Sequence, residues 1–137
     1  LAKTMATHGA TAVIVSGGFT FFTERVAEAA GFHFNHANVL ETRDGLLTGT
    51  VVEPILGQQA KLDALRTYRE KRILEVIETM AVGDGANDLA RLPEPSLGVA
   101  CHTKPIVAEK AAARIDHCDL TALLFMQGYH REDFVED

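Results

Sequence analysis

The stretch from Met80 to Leu89 constrains this chain most, and it reads Met-Ala-Val-Gly-Asp-Gly-Ala-Asn-Asp-Leu. Its short apolar run predicts a buried strand, and the glycines that follow allow a sharp turn where that strand ends. Asp84 would then lie in a loop at the carboxyl end of the strand, and Asp88 on the first turn of a helix. Together with Asn87 they would offer the oxygen ligands that Mg²⁺ prefers. The alternative is an ordinary strand–turn–helix unit with solvated acids.

A second informative site follows an earlier apolar run, Ala12–Val15, which predicts a buried parallel strand. Ser16, Gly17 and Gly18 interrupt this run, and an amphipathic helix is predicted from Phe19 to Ala30. Backbone N–H groups at a glycine-rich helix N-terminus, with a serine hydroxyl, can bind an anion such as phosphate. The alternative is a serine N-cap with flexible glycines. The buried face of the helix is predicted to contain Phe19, Phe22, Val26, Ala29 and Ala30.

A basic helix and a hairpin lie between these two sites. The turn Arg43-Asp44-Gly45 predicts a hairpin excursion from the sheet, and Gly57–Lys71 is predicted to be helical. Lys61, near the start of that helix, could present a compact positive charge to a phosphate; the alternative is a solvated lysine. Beyond the central stretch we predict a buried strand, a helix, an edge strand and a last helix, at Leu97–Ala100, Pro105–Ala113, Arg114–Asp116 and Leu120–Gln127.

Composition excludes several classes of function. The formal net charge of −6 disfavours nucleic acid as a main partner, and no apolar run reaches the length of a membrane span. The two cysteines give no disulfide framework, which favours reduced thiols and a cytoplasmic location. His102 and His117 each lie beside a cysteine, but their spacing is not typical of a zinc site. We therefore interpret them as loop residues.

The alternation of strands and helices predicts an α/β fold with a mostly parallel sheet. Ligands of such sheets bind beyond the carboxyl ends of the strands, where Ser16, Asp84, Asn87 and Asp88 are all expected. Phosphate donors, a lysine and metal-binding carboxylates together are typical of phosphoryl transfer. No residue of the chain is an obvious nucleophile.

These motifs, in this order, resemble the second, third and fourth motifs of the haloacid dehalogenase superfamily, and more narrowly those of its members that hydrolyse O-phospho-L-serine. The resemblance rests on Val15–Thr20, Lys61 and Gly83–Leu89. It extends to Gly98–Ala100, His102, Lys104-Pro105, Ala113–His117 and Asp119–Leu124. It implies a three-layer Rossmann-like core and Mg²⁺-dependent hydrolysis of O-phospho-L-serine, the last step of serine biosynthesis, through an aspartyl-phosphate.

The resemblance also implies a role for each matching residue. Ser16, Gly17 and Gly18 would hold the phosphate, and Lys61 would neutralise its charge. Asp84 would ligate Mg²⁺, Asn87 would contact the substrate, and Asp88 would orient Lys61 or the waters of the metal.

One part of the family pattern is absent from these 137 residues. The first motif of the family is Asp-x-Asp, and no two acids of this chain have that spacing. We therefore expect residues 1–137 to form a partial catalytic domain, with the first-motif strand and the cap upstream. The sheet would be incomplete at that strand, the chain alone inactive, and an N-terminal segment or a second chain needed to complete the site. A homodimer is also possible.

Other functions stay open at this point. The motifs bind phosphate and metal rather than serine, so a phosphatase or phosphotransferase acting on another small phosphomonoester fits them as well. A fragment that only binds phosphate or a partner fits too. A P-type ATPase domain shares the Gly-Asp-Gly element, but the absence of a transmembrane span and the Ser-Gly-Gly form disfavour it.

Overall fold

The computed structural model describes residues 1–85, 97–109 and 111–135 of the chain. Asn87 and Asp88 lie outside these ranges. The chain forms two compact units, one made of Leu1–Gly57 with Leu124–Asp137 and the other of Gln58–Leu123.

The first unit contains a parallel strand pair, a helix between the two strands, and a hairpin. Its elements are α1 (Ala2–Thr7), β1 (Val13–Phe19), α2 (Thr20–Ala30), β2 (Phe34–Asn38), β3 (Leu40–Arg43) and β4 (Leu46–Val51). β1 pairs in parallel with β2, and β3 pairs antiparallel with β4. The polar strand β2 was not predicted.

The strand β1 is longer than predicted. It continues through Ser16, Gly17 and Gly18 to Phe19, and helix α2 begins only at Thr20. The prediction that the Ser-Gly-Gly segment ends the strand and opens the helix was therefore wrong. Pairing with β2 explains the difference, because Phe19 is still opposite Asn38 at the end of that strand.

Helix α2 buries a different face from the one predicted. Its buried residues are Thr23 and Ala27, and the Thr23 hydroxyl donates a hydrogen bond to Asn35 Oδ1 of β2 at 2.9 Å. Phe22 and Val26, predicted to be buried, are 61% and 53% exposed. Small and polar side chains therefore form the face that packs on the sheet.

The predicted hairpin is confirmed by strands β3 and β4. Asp44 and Gly45 have φ values of 52° and 79°, as both central residues of a two-residue type I′ turn require. On its surface, the Glu41 carboxylate accepts hydrogen bonds from the hydroxyls of Thr50 and Thr48. These bonds lower the pKa of Glu41.

The second unit contains a three-stranded parallel sheet. Its elements are α3 (Gln58–Arg72), a 3₁₀ turn (Val76–Glu78), β5 (Met80–Gly83), β6 (Leu97–Cys101), α4 (Pro105–Ala108) and β7 (Ala113–Ile115). Helix α5 (Ala122–Met126) follows β7, and the second unit ends within it, at Leu123. The sheet order is β5-β6-β7. The central strand supplies its most buried residues, Val99 and Ala100, and Ile115 and Leu123 are also buried.

The predicted mostly parallel α/β fold is confirmed in these pairings. Two helices are shorter than predicted. The helix predicted at Pro105–Ala113 ends at Ala108, and Ala113 already belongs to β7. The helix predicted at Leu120–Gln127 spans only Ala122–Met126. In the described ranges, the parallel strands form a pair and a separate set of three. None of the helices in those ranges has the length and hydropathy needed to span a bilayer.

Candidate functional site

The Ser16–Gly18 segment forms an irregular bulge in β1. Between Val15 and Phe19 the chain advances four residues, while the opposite strand advances only two, from His36 to Asn38. Bulges of this kind redirect backbone and side-chain groups and are common beside functional sites. Ser16 Oγ accepts a hydrogen bond from Gly18 N–H at 3.0 Å, so the serine side chain helps to fix the turn of its own bulge.

The two glycines are exposed and leave room beside the bulge. A Cβ placed on Gly17 would meet no other atom within 4 Å, whereas one on Gly18 would lie 3.2 Å from Ser16 Oγ. Neither glycine is required by a positive φ. The open surface at Gly17 is therefore compatible with the close approach of a ligand to the backbone.

Asn38 is a functional candidate that the sequence did not indicate. It is 6% exposed, its Nδ2 donates to the Gly17 carbonyl at 2.9 Å, and its Oδ1 accepts from Leu56 N–H at 2.7 Å. A buried amide with both polar ends bonded fixes the parts it joins. Asn38 therefore anchors the bulge to the segment that precedes α3. In the sequence, an asparagine before an apolar pair predicts only a turn.

Asp84 follows β5 directly, at the carboxyl end of that strand, as predicted. The register pairs Gly83 with Ala100, so the exposed Asp84 lies beside the end of β6. There the pKa of the Cys101 thiol is raised, mainly by burial and also by the negative charge of Asp84. Both causes disfavour the thiolate, and Cys101 is therefore a poor nucleophile.

Lys61 is half-buried in the first turn of α3. Lys61 and Asp84 both belong to the second unit, whereas Ser16, Gly17 and Gly18 belong to the first. The predicted roles of Asn87 and Asp88 fall outside the described residues.

The described ranges contain no group of three or more histidines, cysteines and acids that could hold a metal. Both cysteines are free thiols. The Arg114 guanidinium forms an ion pair with Asp116 at 2.8 Å, which stabilises the loop after β7.

Comparisons with known proteins agree with the motifs. The haloacid dehalogenase-like hydrolase model matches residues 1–92. A phosphoserine phosphatase of Streptomyces coelicolor is 38% identical over 133 residues, which cover 97% of this chain and 32% of that protein's length. Among solved structures, an unliganded probable phosphoserine phosphatase from Vibrio cholerae has a TM-score of 0.82 and 37% identity, covering 88% of this chain and 37% of that one.

A further solved structure is described as a phospho-aspartyl intermediate analogue of phosphoserine phosphatase. It has a TM-score of 0.79 and 34% identity, covering 91% of this chain and 60% of that one. The resemblance seen in the motifs is thus confirmed at the level of the family. Since the family model matches well over half of its residues, the chain belongs to the haloacid dehalogenase-like hydrolases.

Proposed function

We propose that the complete protein containing this chain is a cytoplasmic, Mg²⁺-dependent phosphatase that converts O-phospho-L-serine to L-serine and phosphate. The reaction is the last step of serine biosynthesis. One observation carries the proposal: the bulge at Ser16–Gly18 lies near the carboxyl end of β1 in the first unit, and the Asp84 carboxylate directly follows β5 in the second. Ligands of parallel sheets bind at such strand ends. The relatives named above are phosphoserine phosphatases, which supports this choice of substrate.

The bulge supplies the phosphate site. The Ser16 hydroxyl and the backbone N–H of Gly17 donate hydrogen bonds to phosphate oxygens, and the open surface at Gly17 admits them. Gly18 supports this site through its N–H, which donates to Ser16 Oγ and so positions the hydroxyl. Lys61 neutralises negative charge on the phosphate as the phosphoryl group is transferred. Asn87 contacts the substrate, and Asp88 orients Lys61 or metal-bound water.

Asp84 fits a Mg²⁺ ligand. Mg²⁺ typically keeps several waters and binds through one or two carboxylates plus substrate phosphate. An exposed carboxylate at a strand end leaves space for those waters. When bound, the metal stabilises negative charge on the phosphoryl oxygens. Asp84 itself would hold the cation at the carboxyl end of β5.

The nucleophile comes from outside these 137 residues, because no two of their acids have the Asp-x-Asp spacing of the family's first motif. One aspartate attacks phosphorus and forms an aspartyl-phosphate, while a second protonates the departing serine oxygen. The second aspartate then removes a proton from water, which hydrolyses the aspartyl-phosphate and releases phosphate. The solved phospho-aspartyl analogue of a relative supports this route. An N-terminal segment or a second chain completes the site.

A substrate panel with the complete protein tests the proposal. Phosphate release is measured from O-phospho-L-serine, O-phospho-L-threonine and glycerol phosphate, with Mg²⁺ and with a chelator. We expect O-phospho-L-serine to have the highest kcat/KM and the chelator to abolish turnover. A preference for another phosphomonoester would establish the alternative substrate class, and no turnover of any ester would indicate a binding function only.

The 137-residue chain alone is the second arm of this test. We expect it to release no phosphate from O-phospho-L-serine, because it lacks the attacking carboxylate. Turnover at the rate of the complete protein would contradict that assignment while leaving the substrate class intact.

A further inference from the structure

A groove in the first unit lies between helix α2 and the β3–β4 hairpin. Its volume is about 330 Å³, at the lower end of the range of about 300–1,000 Å³ that small-molecule sites span. Helix α2 contributes Thr20, Phe21, Glu24 and Arg25. Residues at these spacings share one side of a helix, and that side differs from the one that packs on the sheet. The groove is therefore formed by a side of α2 that the sheet does not cover.

The hairpin contributes one of its two faces. Thr42 lies directly opposite Leu47 in the β3–β4 register, and Leu40 precedes Thr42 by two positions, so all three residues stand on the groove side. Glu41 stands on the other side, where its carboxylate accepts hydrogen bonds from threonine hydroxyls. Leu47 is 66% exposed and Phe21 is 54% exposed. The groove thus offers apolar surface whose burial by a ligand is favourable.

Arg25 gives the groove a cation that is held in place. Its guanidinium carbon lies 3.9 Å from the centroid of the Phe21 ring, and one of its N–H groups donates to the Phe21 carbonyl. A guanidinium has several N–H donors, so others face the solvent. No carboxylate of the described ranges lies within ion-pair distance of Arg25. An arginine fixed in this way is suited to bind a planar carboxylate of a ligand.

Glu24 gives the groove a negative charge next to this cation. It is exposed, and it forms no ion pair with Arg25 or with any other residue in the part of the chain that the structure describes. A ligand with only a negative charge would be repelled by Glu24, and one with only a positive charge by Arg25. A ligand that carries both charges and an apolar group matches the whole groove.

We infer that this groove binds a free α-amino acid with an apolar side chain. The ligand's carboxylate accepts hydrogen bonds from Arg25, its ammonium donates to Glu24, and its side chain packs against the apolar residues of the groove. The hydroxyls of Thr20 and Thr42 offer further hydrogen bonds to its polar groups. A phosphate ester would instead place its charge beside Glu24, and a polyamine would place its charge beside Arg25.

Isothermal titration calorimetry of the complete protein with L-leucine tests this inference. We expect saturable binding. L-leucinamide lacks the carboxylate and N-acetyl-L-leucine lacks the ammonium, and each should bind at least about tenfold more weakly than L-leucine, because one charge of the groove then has no partner. The measurement detects binding rather than phosphate release, so its result does not depend on whether the complete protein hydrolyses O-phospho-L-serine.

Variants connect these losses to individual side chains. Arg25→Gln should weaken binding of L-leucine about tenfold without weakening that of L-leucinamide, which has no carboxylate for the arginine. Glu24→Gln should weaken binding of L-leucine to a similar extent without weakening that of N-acetyl-L-leucine. Arg43→Gln is the matched control, because Arg43 is exposed on the same hairpin but does not line the groove. It should leave every dissociation constant unchanged.

L-alanine tests the apolar part of the groove. Because its side chain buries less apolar surface, it should bind at least about tenfold more weakly than L-leucine. Equal binding of the two would contradict a site for apolar side chains. Absence of saturable L-leucine binding, or binding that Arg25→Gln leaves unchanged, would overturn the inference. A preference for N-acetyl-L-leucine over L-leucine would also overturn it, because Glu24 would then hold no ammonium.

Discussion

The two regions that carry the candidate site residues are built in different ways. The bulge at Ser16–Gly18 is fixed by hydrogen bonds from within the fold, one to Ser16 Oγ and one from the buried Asn38. Asp84, in contrast, is an exposed carboxylate at a regular strand end. We therefore expect a change at the bulge to alter both ligand binding and the stability of the fold, and a change at Asp84 to alter the chemistry with little effect on the fold.

Replacement of Asp84 by asparagine should have the largest effect. In the complete protein, we expect Asp84→Asn to lower kcat/KM for the phosphomonoester about a hundredfold, since the metal contributes several kcal/mol to charge stabilisation. The free energy of unfolding should stay within about 0.5 kcal/mol of the parent, because the side chain is exposed. Steady-state kinetics and urea denaturation measure the two quantities.

Asp116→Asn is the control for Asp84→Asn. Asp116 pairs with Arg114 in the same unit, and its replacement should leave kcat/KM unchanged. Activity close to that of the parent in Asp84→Asn would remove Asp84 from the metal site.

Replacement of Asn38 by alanine should have the opposite profile. It leaves the Gly17 carbonyl and the Leu56 N–H without their buried partner. We expect a loss of about 2 kcal/mol in the free energy of unfolding, together with a higher KM, because the bulge loses its anchor. Urea denaturation of the variant measures the first effect and steady-state kinetics the second.

Asn35→Ala provides the matched comparison on the same strand. The Asn35 side chain accepts its hydrogen bond from Thr23 of helix α2 rather than from the bulge, so its loss should lower stability without raising KM. Equal KM increases in both variants would show that general loosening of β2, rather than the anchor at Gly17, is responsible.

Replacement of Gly17 by alanine should affect binding but not folding. A Cβ at this position meets nothing within 4 Å, so stability should be unchanged or slightly higher. If phosphate approaches the backbone at Gly17, the added methyl group should raise KM about tenfold, the equivalent of one lost charge-assisted hydrogen bond. Gly18→Ala, whose Cβ would lie 3.2 Å from Ser16 Oγ, should instead disturb the bulge as well. An unchanged KM in Gly17→Ala would exclude phosphate from this surface.

Local sequence chemistry predicted the elements whose signals are local. The Asp44-Gly45 turn required positive φ values and formed the expected hairpin, and the apolar run before Gly83 formed β5 with Asp84 at its end. Strand β2 was missed because Phe34–Asn38 has mostly polar residues and no apolar alternation. It forms through parallel pairing with β1, which is a long-range property.

Burial and bulging were harder to predict for the same reason. The period of α2 indicates that Phe22 and Val26 lie on one apolar face, but it does not show whether any surface of the chain covers that face, and both side chains are exposed. Likewise, glycines predict that a backbone can turn, not that it must. At Ser16–Gly18 the pairing of Phe19 with Asn38 keeps the segment within β1 as a bulge.

The smallest expected effect concerns the thiol beside Asp84. The pKa of Cys101 is raised first by burial and then by the charge of Asp84. Removing that charge in Asp84→Asn should therefore lower this pKa, while burial keeps it above its ordinary value of 9.0. In a Cys118→Ser background, Cys101 is the one thiol of residues 1–137. Its alkylation by iodoacetamide below pH 9, followed by mass spectrometry of the peptide that contains it, should become faster in Asp84→Asn, because a larger fraction is thiolate. Asp116→Asn should not change the rate. An alkylation rate that is equal in Asp84→Asn and its parent would mean that the Asp84 carboxylate does not lie beside the end of β6. The description of Asp84 as an exposed charge at that strand end would then be wrong.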